Sequence, residues 1–194
     1  DVEPLVQKAI DEKQPVTDIL NKGLLAGMDI VGEKFKNNEL YVPDVLVAAR
    51  AMNAGTTLIK PLLAEAGVES IGKVVIGTVL GDLHDIGKNL VKMMMEGKGF
   101  EVIDLGVNVS AEQFVQGAID NNASIIACSA LLTTTMGEMA NVVKVATEKG
   151  VRDKLTIMVG GAPVNESYKK SIGADIYTPD AASAAEQAAK TVKH

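Results

Sequence analysis

The sequence predicts an α/β protein: a helical N-terminal part followed by a parallel sheet covered by helices. Three observations predict it. Apolar residues recur at three- and four-residue steps as far as Leu63. Beyond Gly72, short β-branched runs alternate with helical stretches, the pattern of a parallel sheet with helices on both faces. At 194 residues, 47% hydrophobic and 23% charged, the chain can bury cores of its own. The change of period falls within Ala66-Gly67-Val68-Glu69-Ser70-Ile71-Gly72, so the expected domains are residues 1–70 and 71–194.

A short first helix is expected around Pro4 to Asp11, and Pro15 opens a second. Leu24, Met28, Val31 and Phe35 mark a third helix. Pro43 opens the longest, with Val45, Ala49, Met52, Thr56, Ile59 and Leu63 on one stripe. Together they predict a four-helix bundle. Strands are expected near 73–80, 100–105, 124–130, 155–160 and 174–178. The helices between and after them fall near 87–98, 110–121, 136–149, 163–171 and 180–192. Five such strands suggest the flavodoxin-like (Rossmann-like) order 2-1-3-4-5. Tyr41 and Met93 to Met95 read as packing residues, and Cys128 as a small buried hydrophobe.

Composition excludes several function classes. A formal charge of −6 argues against nucleic acid as a partner. The longest uncharged apolar stretch, Ala123 to Leu132, is too short for a bilayer, and the acidic start does not read as a signal peptide. One cysteine excludes an internal disulfide and fits a reducing, cytoplasmic setting.

The candidate chemistry lies at the strand ends. Val74 to Leu80 runs into Asp82-Leu83-His84-Asp85-Ile86-Gly87, and a helix follows. An imidazole with a carboxylate two residues earlier is a metal-ligand arrangement, because the carboxylate fixes the ring's tautomer and raises its basicity. The only other histidine is the terminal His194. Taken alone, His84 reads more readily as a hydrogen-bonding loop residue than as a ligand. A phosphate loop fails, because the spacing is one residue too long and Asn89 stands where Ser or Thr is needed. Ser129-Ala130-Leu131 with Thr133 to Thr135 ends the third strand, and Gly160-Gly161 ends the fourth. Open α/β sheets bind ligands at such carboxyl ends. A phosphoacceptor receiver would need an acidic residue and a lysine where Ser129 and Thr178-Pro179 stand. Flavin binding would favour aromatic loops, yet aromatics make up only 3%.

The set Asp82-x-His84-x-x-Gly87, Ser129-x-Leu131 and Gly160-Gly161 resembles the cobalamin-binding module of corrinoid methyl-transfer proteins. Val31-Gly32-Glu33-Lys34-Phe35 and Leu40 to Val45 resemble its helical cap. The resemblance covers nearly the whole chain. It is close to the stand-alone corrinoid proteins of methyltransferase systems and similar to the cobalamin module of methionine synthase.

The resemblance implies cobalamin bound with its own base displaced and His84 as the lower axial ligand to cobalt. Asp82 would orient His84, and Thr135, or Ser129, would extend the relay. Asp85, Ile86 and Gly87 would lie at the cofactor. Ser129, Leu131 and Thr133 would line the tunnel for the base, and Gly160 and Gly161 would admit the nucleotide tail. Phe35 and Val42 would cover the upper face. The implied role is a methyl carrier, not turning over alone, between a substrate-specific methyltransferase and an acceptor methyltransferase, tetrahydrofolate-type, with a separate reductive activator. A cobalamin-dependent sensor or storage module and an adenosylcobalamin mutase subunit are the alternatives. The methyl donor is not legible in this chain.

Overall fold

The computed structural model describes residues 2–192; His194 lies outside them. The N-terminal part holds α1 (Val2–Asp11), α2 (Val16–Asp18), α3 (Ala26–Lys36) and α4 (Val42–Glu65). All four expected helical segments are present, but the second and third form one rod. A π-helical stretch, Ile19–Leu25, joins α2 to α3 without a loop. No proline interrupts Val16 to Lys36, and no side-chain cap bond marks the start of the π stretch at Asp18. Pro15 precedes α2, and Pro43 sits in the first turn of α4, where the Asp44 carboxylate accepts the Tyr41 N–H at 2.8 Å.

Past Gly72 come β1 (Lys73–Thr78), α5 (Ile86–Gly97), β2 (Glu101–Asp104), α6 (Ala111–Asp120), β3 (Ile125–Ser129), α7 (Glu138–Glu148), β4 (Thr156–Gly160), α8 (Glu166–Ile172), β5 (Ile176–Tyr177) and α9 (Ala181–Thr191). The strands pair in parallel in the order β2-β1-β3-β4-β5, as the alternation predicts. Thr78 aligns with Ser129 and Ser129 with Gly160, so three strand ends meet on one edge.

The three central strands, β1, β3 and β4, bury both faces. Val74, Ile76, Ile125, Ala127 and Met158 face one apolar core, which continues into the helical cap through α5 and α9. Val75, Ile126, Cys128, Ile157 and Val159 face a second core under α6 and α7. Gly77 belongs to that side: a methyl there would stand 2.9 Å from the Phe114 ring, so its absence lets Phe114 reach the sheet. Each fully buried Ile or Val contributes on the order of 1.5–3 kcal/mol.

The cap docks through small residues. Ala181, Ala184, Ala185 and Ala188 bring α9 into the shared core, and a methyl at Gly97 would stand 3.0 Å from Met28. Lys98 to Asp29 at 2.6 Å and Lys36 to Glu186 at 3.0 Å tie α3 to α5 and α9. Met94 and Met95 are buried as expected. Tyr41 is not a packing residue: it is 68% exposed, because it precedes α4 on the turn after α3.

Candidate functional site

β1 ends at Thr78, and the chain crosses to α5 through a loop organised around a buried charge. Asp82 is fully buried, and every partner of its carboxylate is a donor. Oδ1 accepts the His84 backbone N–H at 3.1 Å and meets His84 Nδ1 at 2.7 Å. Oδ2 accepts the Leu131 N–H at 2.8 Å, the Leu132 N–H at 3.3 Å and the Thr135 hydroxyl at 2.8 Å. Burial alone would push the Asp82 carboxyl up. The donated bonds from His84, Leu131 and Thr135 outweigh it and hold the group well below the usual carboxylate range.

An ionised acceptor requires the proton on the nitrogen that faces it, so Nδ1 of His84 donates and Nε2 keeps its lone pair. The imidazole is half exposed, with 52% of its side chain accessible, and the Thr78 hydroxyl donates to the His84 carbonyl at 2.8 Å. The hydroxyl that reaches Asp82 is that of Thr135, not Ser129, because the turn after β3 brings it to Oδ2.

Beside this loop a cavity of about 410 Å³ opens between the ends of β1, β3 and β4 and the helices α5 and α9. Gly87, Ser129, Gly160 and Gly161 line it, and so does Phe35 from the cap. At Gly161 the backbone has φ +127°, and a side chain would collide with the Ala130 carbonyl, so only glycine fits. Leu131 and Thr133 do not line this cavity, against expectation. The chain leaves β3 at Ser129 and turns outward, so both side chains are exposed while the Leu131 amide serves Asp82. Val42 is half-buried in the cap beside the core that Phe35 joins, away from the cavity wall. Asp85 sits at the start of α5, where its Oδ2 accepts from Asn89 at 3.1 Å.

Sequence reasoning misses two features. Leu83 is 71% exposed and Ile86 75%, on the loop that carries His84, and Leu131 and Leu132, whose amides bond Asp82, are exposed as well. Of these four, the motifs single out only Ile86 and Leu131; the available signal is apolar residues flanking a histidine in an otherwise polar loop. Lys88 is only 3% exposed, lines the cavity, and is held by Asp104 at 2.6 and 2.7 Å and Asn89 at 2.8 Å.

Among the described residues no three His, Cys, Asp or Glu side chains gather as a cage for a bare ion. A single free imidazole nitrogen suits a metal that brings its other ligands in a flat macrocycle. The exposed apolar side chains of the two loops suit the macrocycle's face, and the adjacent glycine-walled cavity suits an appended tail.

The B12 binding domain family matches residues 72–189, and a second B12 binding domain family matches residues 1–60. The chain is similar to the dimethylamine corrinoid protein of Methanosarcina barkeri, with 43% identity over 185 residues, 95% of this chain and 86% of the relative. A cobalamin-binding protein from Desulfitobacterium hafniense DCB-2 superposes with a TM-score of 0.82 at 32% identity, covering 96% of this chain and 89% of that one. A chain of the methanol:cobalamin methyltransferase complex from Methanosarcina barkeri gives 0.86 at 30% identity, covering 96% and 71%. With both of its parts matched, the chain belongs to the B12-binding corrinoid proteins, and its cofactor is a cobalamin.

Proposed function

We propose that this chain is the methyl carrier of a corrinoid methyltransferase system, with His84 as the lower axial ligand of its cobalamin. When bound, the cobalamin supplies a cobalt centre that takes up a methyl group from one substrate and releases it to another. The observation that carries the reading is the Asp82–His84 pair at 2.7 Å, backed by Thr135 at 2.8 Å. Asp82 keeps the proton on Nδ1, so Nε2 presents a lone pair of raised basicity. Thr135 and the Leu131 amide hold the carboxylate in place from the opposite side.

Gly87, Ser129, Gly160 and Gly161 would receive the nucleotide tail in the 410 Å³ cavity. Leu83, Ile86, Leu131 and Leu132 would meet the corrin's lower face, where burying apolar surface favours binding and excludes water from the metal. Phe35 and Val42, from the cap, would shield the upper face. Substrates must still reach the metal in turn, so the cap moves, and the Ala66–Gly72 linker is where it would hinge.

The carrier reading is supported by the relatives, whose names are those of methylamine and methanol systems. It assigns the donor's recognition to a substrate-specific methyltransferase and the acceptor's to a second enzyme, which we take to act on tetrahydrofolate. Reduction falls to a separate activator. The chain's one cysteine, Cys128, lies buried in the sheet, and burial pushes its thiol up, away from the thiolate that redox chemistry needs.

The test is reconstitution with each component omitted in turn. Cobalamin-loaded chain, a partner methyltransferase and a panel of methylamines and methanol should demethylate a donor only when all are present. Offering tetrahydrofolate and a thiol as rival acceptors, each with its own transferase, identifies the acceptor. Turnover by the loaded chain alone would contradict a carrier role.

A further inference from the structure

The His84 loop is fixed from two directions. Thr135 and the Leu131 amide reach the Asp82 side chain from the turn after β3. The Asp82 main chain is held from the other side, by the loop between β2 and α6. There Asn108 adopts the left-handed conformation, φ 57°, which Asn accepts more readily than most residues. In that conformation it makes two bonds to consecutive residues of the His84 loop. Its N–H donates to the Asp82 carbonyl at 3.0 Å, and its side-chain Oδ1 accepts the Gly81 N–H at 2.8 Å.

Asn108 is itself anchored. The Thr78 N–H donates to the Gly106 carbonyl at 3.0 Å, and the Val109 N–H donates to the Thr78 carbonyl at 2.9 Å, so main-chain bonds to the end of β1 flank Asn108 on both sides. The Gly106 N–H donates to Asp104 Oδ1 at 2.9 Å, and that carboxylate is pinned by the buried Lys88. Gly81 is exposed and has φ 80°, so little else restrains it.

We infer that Asn108 is a positioning residue for the axial histidine: its side chain braces Gly81 and its main-chain N–H holds Asp82, so that the Asp82–His84 pair is preset for cobalt before cofactor binds. This rests on His84 being the axial ligand. Asn108 touches neither cobalt nor the His84 ring. Its side chain acts through the Gly81 backbone, one residue before Asp82, and loss of that brace lets the loop relax while the glycine-walled cavity still retains the tail. The expected consequence is weaker imidazole ligation with little loss of cofactor.

The variant is Asn108→Gly, which tolerates the left-handed backbone, keeps the N–H bond and removes only the side-chain brace. The control is Asn122→Gly, since Asn122 is also left-handed, φ 54°, but lies on the turn between α6 and β3. In the cobalamin-loaded proteins, the midpoint potential of the cobalt(II)/cobalt(I) couple reads histidine ligation, because the reduced form gives up its axial ligand. Weakening ligation roughly tenfold moves the Asn108→Gly midpoint by about +59 mV for this one-electron couple, while Asn122→Gly stays at the wild-type value.

A second measurement needs no variant. The Gly81 amide of the wild-type holoprotein should resist hydrogen exchange although its residue is exposed. An unchanged midpoint in Asn108→Gly, or a Gly81 amide that exchanges as fast as free loop, overturns the inference. Should the wild-type cobalt(II) protein carry no histidine nitrogen at all, the His84 assignment fails instead, and the two failures are told apart.

Discussion

Asp82 and Thr135 stand 53 residues apart in the chain, and their side chains meet at 2.8 Å in the protein interior. That contact closes a line of hydrogen bonds from the turn after β3, through a buried carboxylate, to the one histidine among the described residues. Because all partners of the carboxylate are donors, the line has one direction. Negative charge rests on Asp82, and the protons sit on Thr135 Oγ1 and His84 Nδ1.

Asp82→Asn breaks that direction. An amide NH₂ must then face donors at one oxygen position or the other, and where it faces Nδ1 the proton shifts to Nε2. The variant should fold, with a loss of about 1–3 kcal/mol for the mismatched buried group. In cobalamin-loaded protein its visible spectrum should report weakened histidine ligation. Identical spectra across pH in wild type and variant would remove Asp82 from the mechanism.

Gly160 and Gly161 should separate cleanly. A methyl at Gly160 meets only the Thr178 carbonyl at 3.9 Å, so Gly160→Ala should fold and bind cofactor more weakly by adding bulk to the cavity wall. Gly161→Ala meets the Ala130 backbone from a left-handed φ and should lose at least about 1–3 kcal/mol. Chemical denaturation together with cofactor titration distinguishes the two, and equal behaviour would count against the cavity as the tail site.

Glu96 gives a pH prediction. Burial against the cap raises its pKa, while Lys92 and the Asn53 side chain oppose the shift. A carboxyl raised in the fold contributes stability below its unfolded value of about 4.3, and that contribution is lost as pH rises through the folded value. Glu96→Gln should therefore match wild type in acid and exceed it near neutrality. Stability curves that stay parallel over this range would refute the assignment.

Phe35→Ala should open the upper side of the cavity. Phe35 is only half-buried, so the stability loss should fall below the ~3–5 kcal/mol of a fully buried Phe. Photolysis of the methylated protein should quicken. An unchanged rate in a folded, loaded variant would leave Phe35 as ordinary cap packing.

Sequence periodicity reveals the strand order and the cap because both are carried by side-chain pattern. Val74 and Ile76 against Val75 show the alternation, and Pro15 and Pro43 mark helix starts. What stays hidden is carried by the backbone. The Leu131 amide bonded to Asp82 has no residue signature, so Leu131 reads as a tunnel wall when its main chain is what matters. The π stretch Ile19–Leu25 joins two helices without a cap or proline to announce it. Lys88 escapes a reading of the sequence because lysine ordinarily lies on the surface, and only the Asp104 partner on a neighbouring strand lets it be buried. Asn108 is equally silent, because its role depends on a left-handed φ that no single position advertises.

The most direct measurement concerns the axial ligand itself. The chain is produced with ¹⁵N-histidine, loaded with unlabelled cobalamin and reduced to cobalt(II), and its electron-paramagnetic spectrum is recorded. With His84 on cobalt, the superhyperfine pattern changes from the nitrogen-14 triplet of unlabelled protein to a nitrogen-15 doublet, and His84→Ala abolishes the doublet. A triplet that survives labelling would mean that the cofactor's own base remains on the metal, and that Asp82, His84 and Thr135 do not form its axial relay.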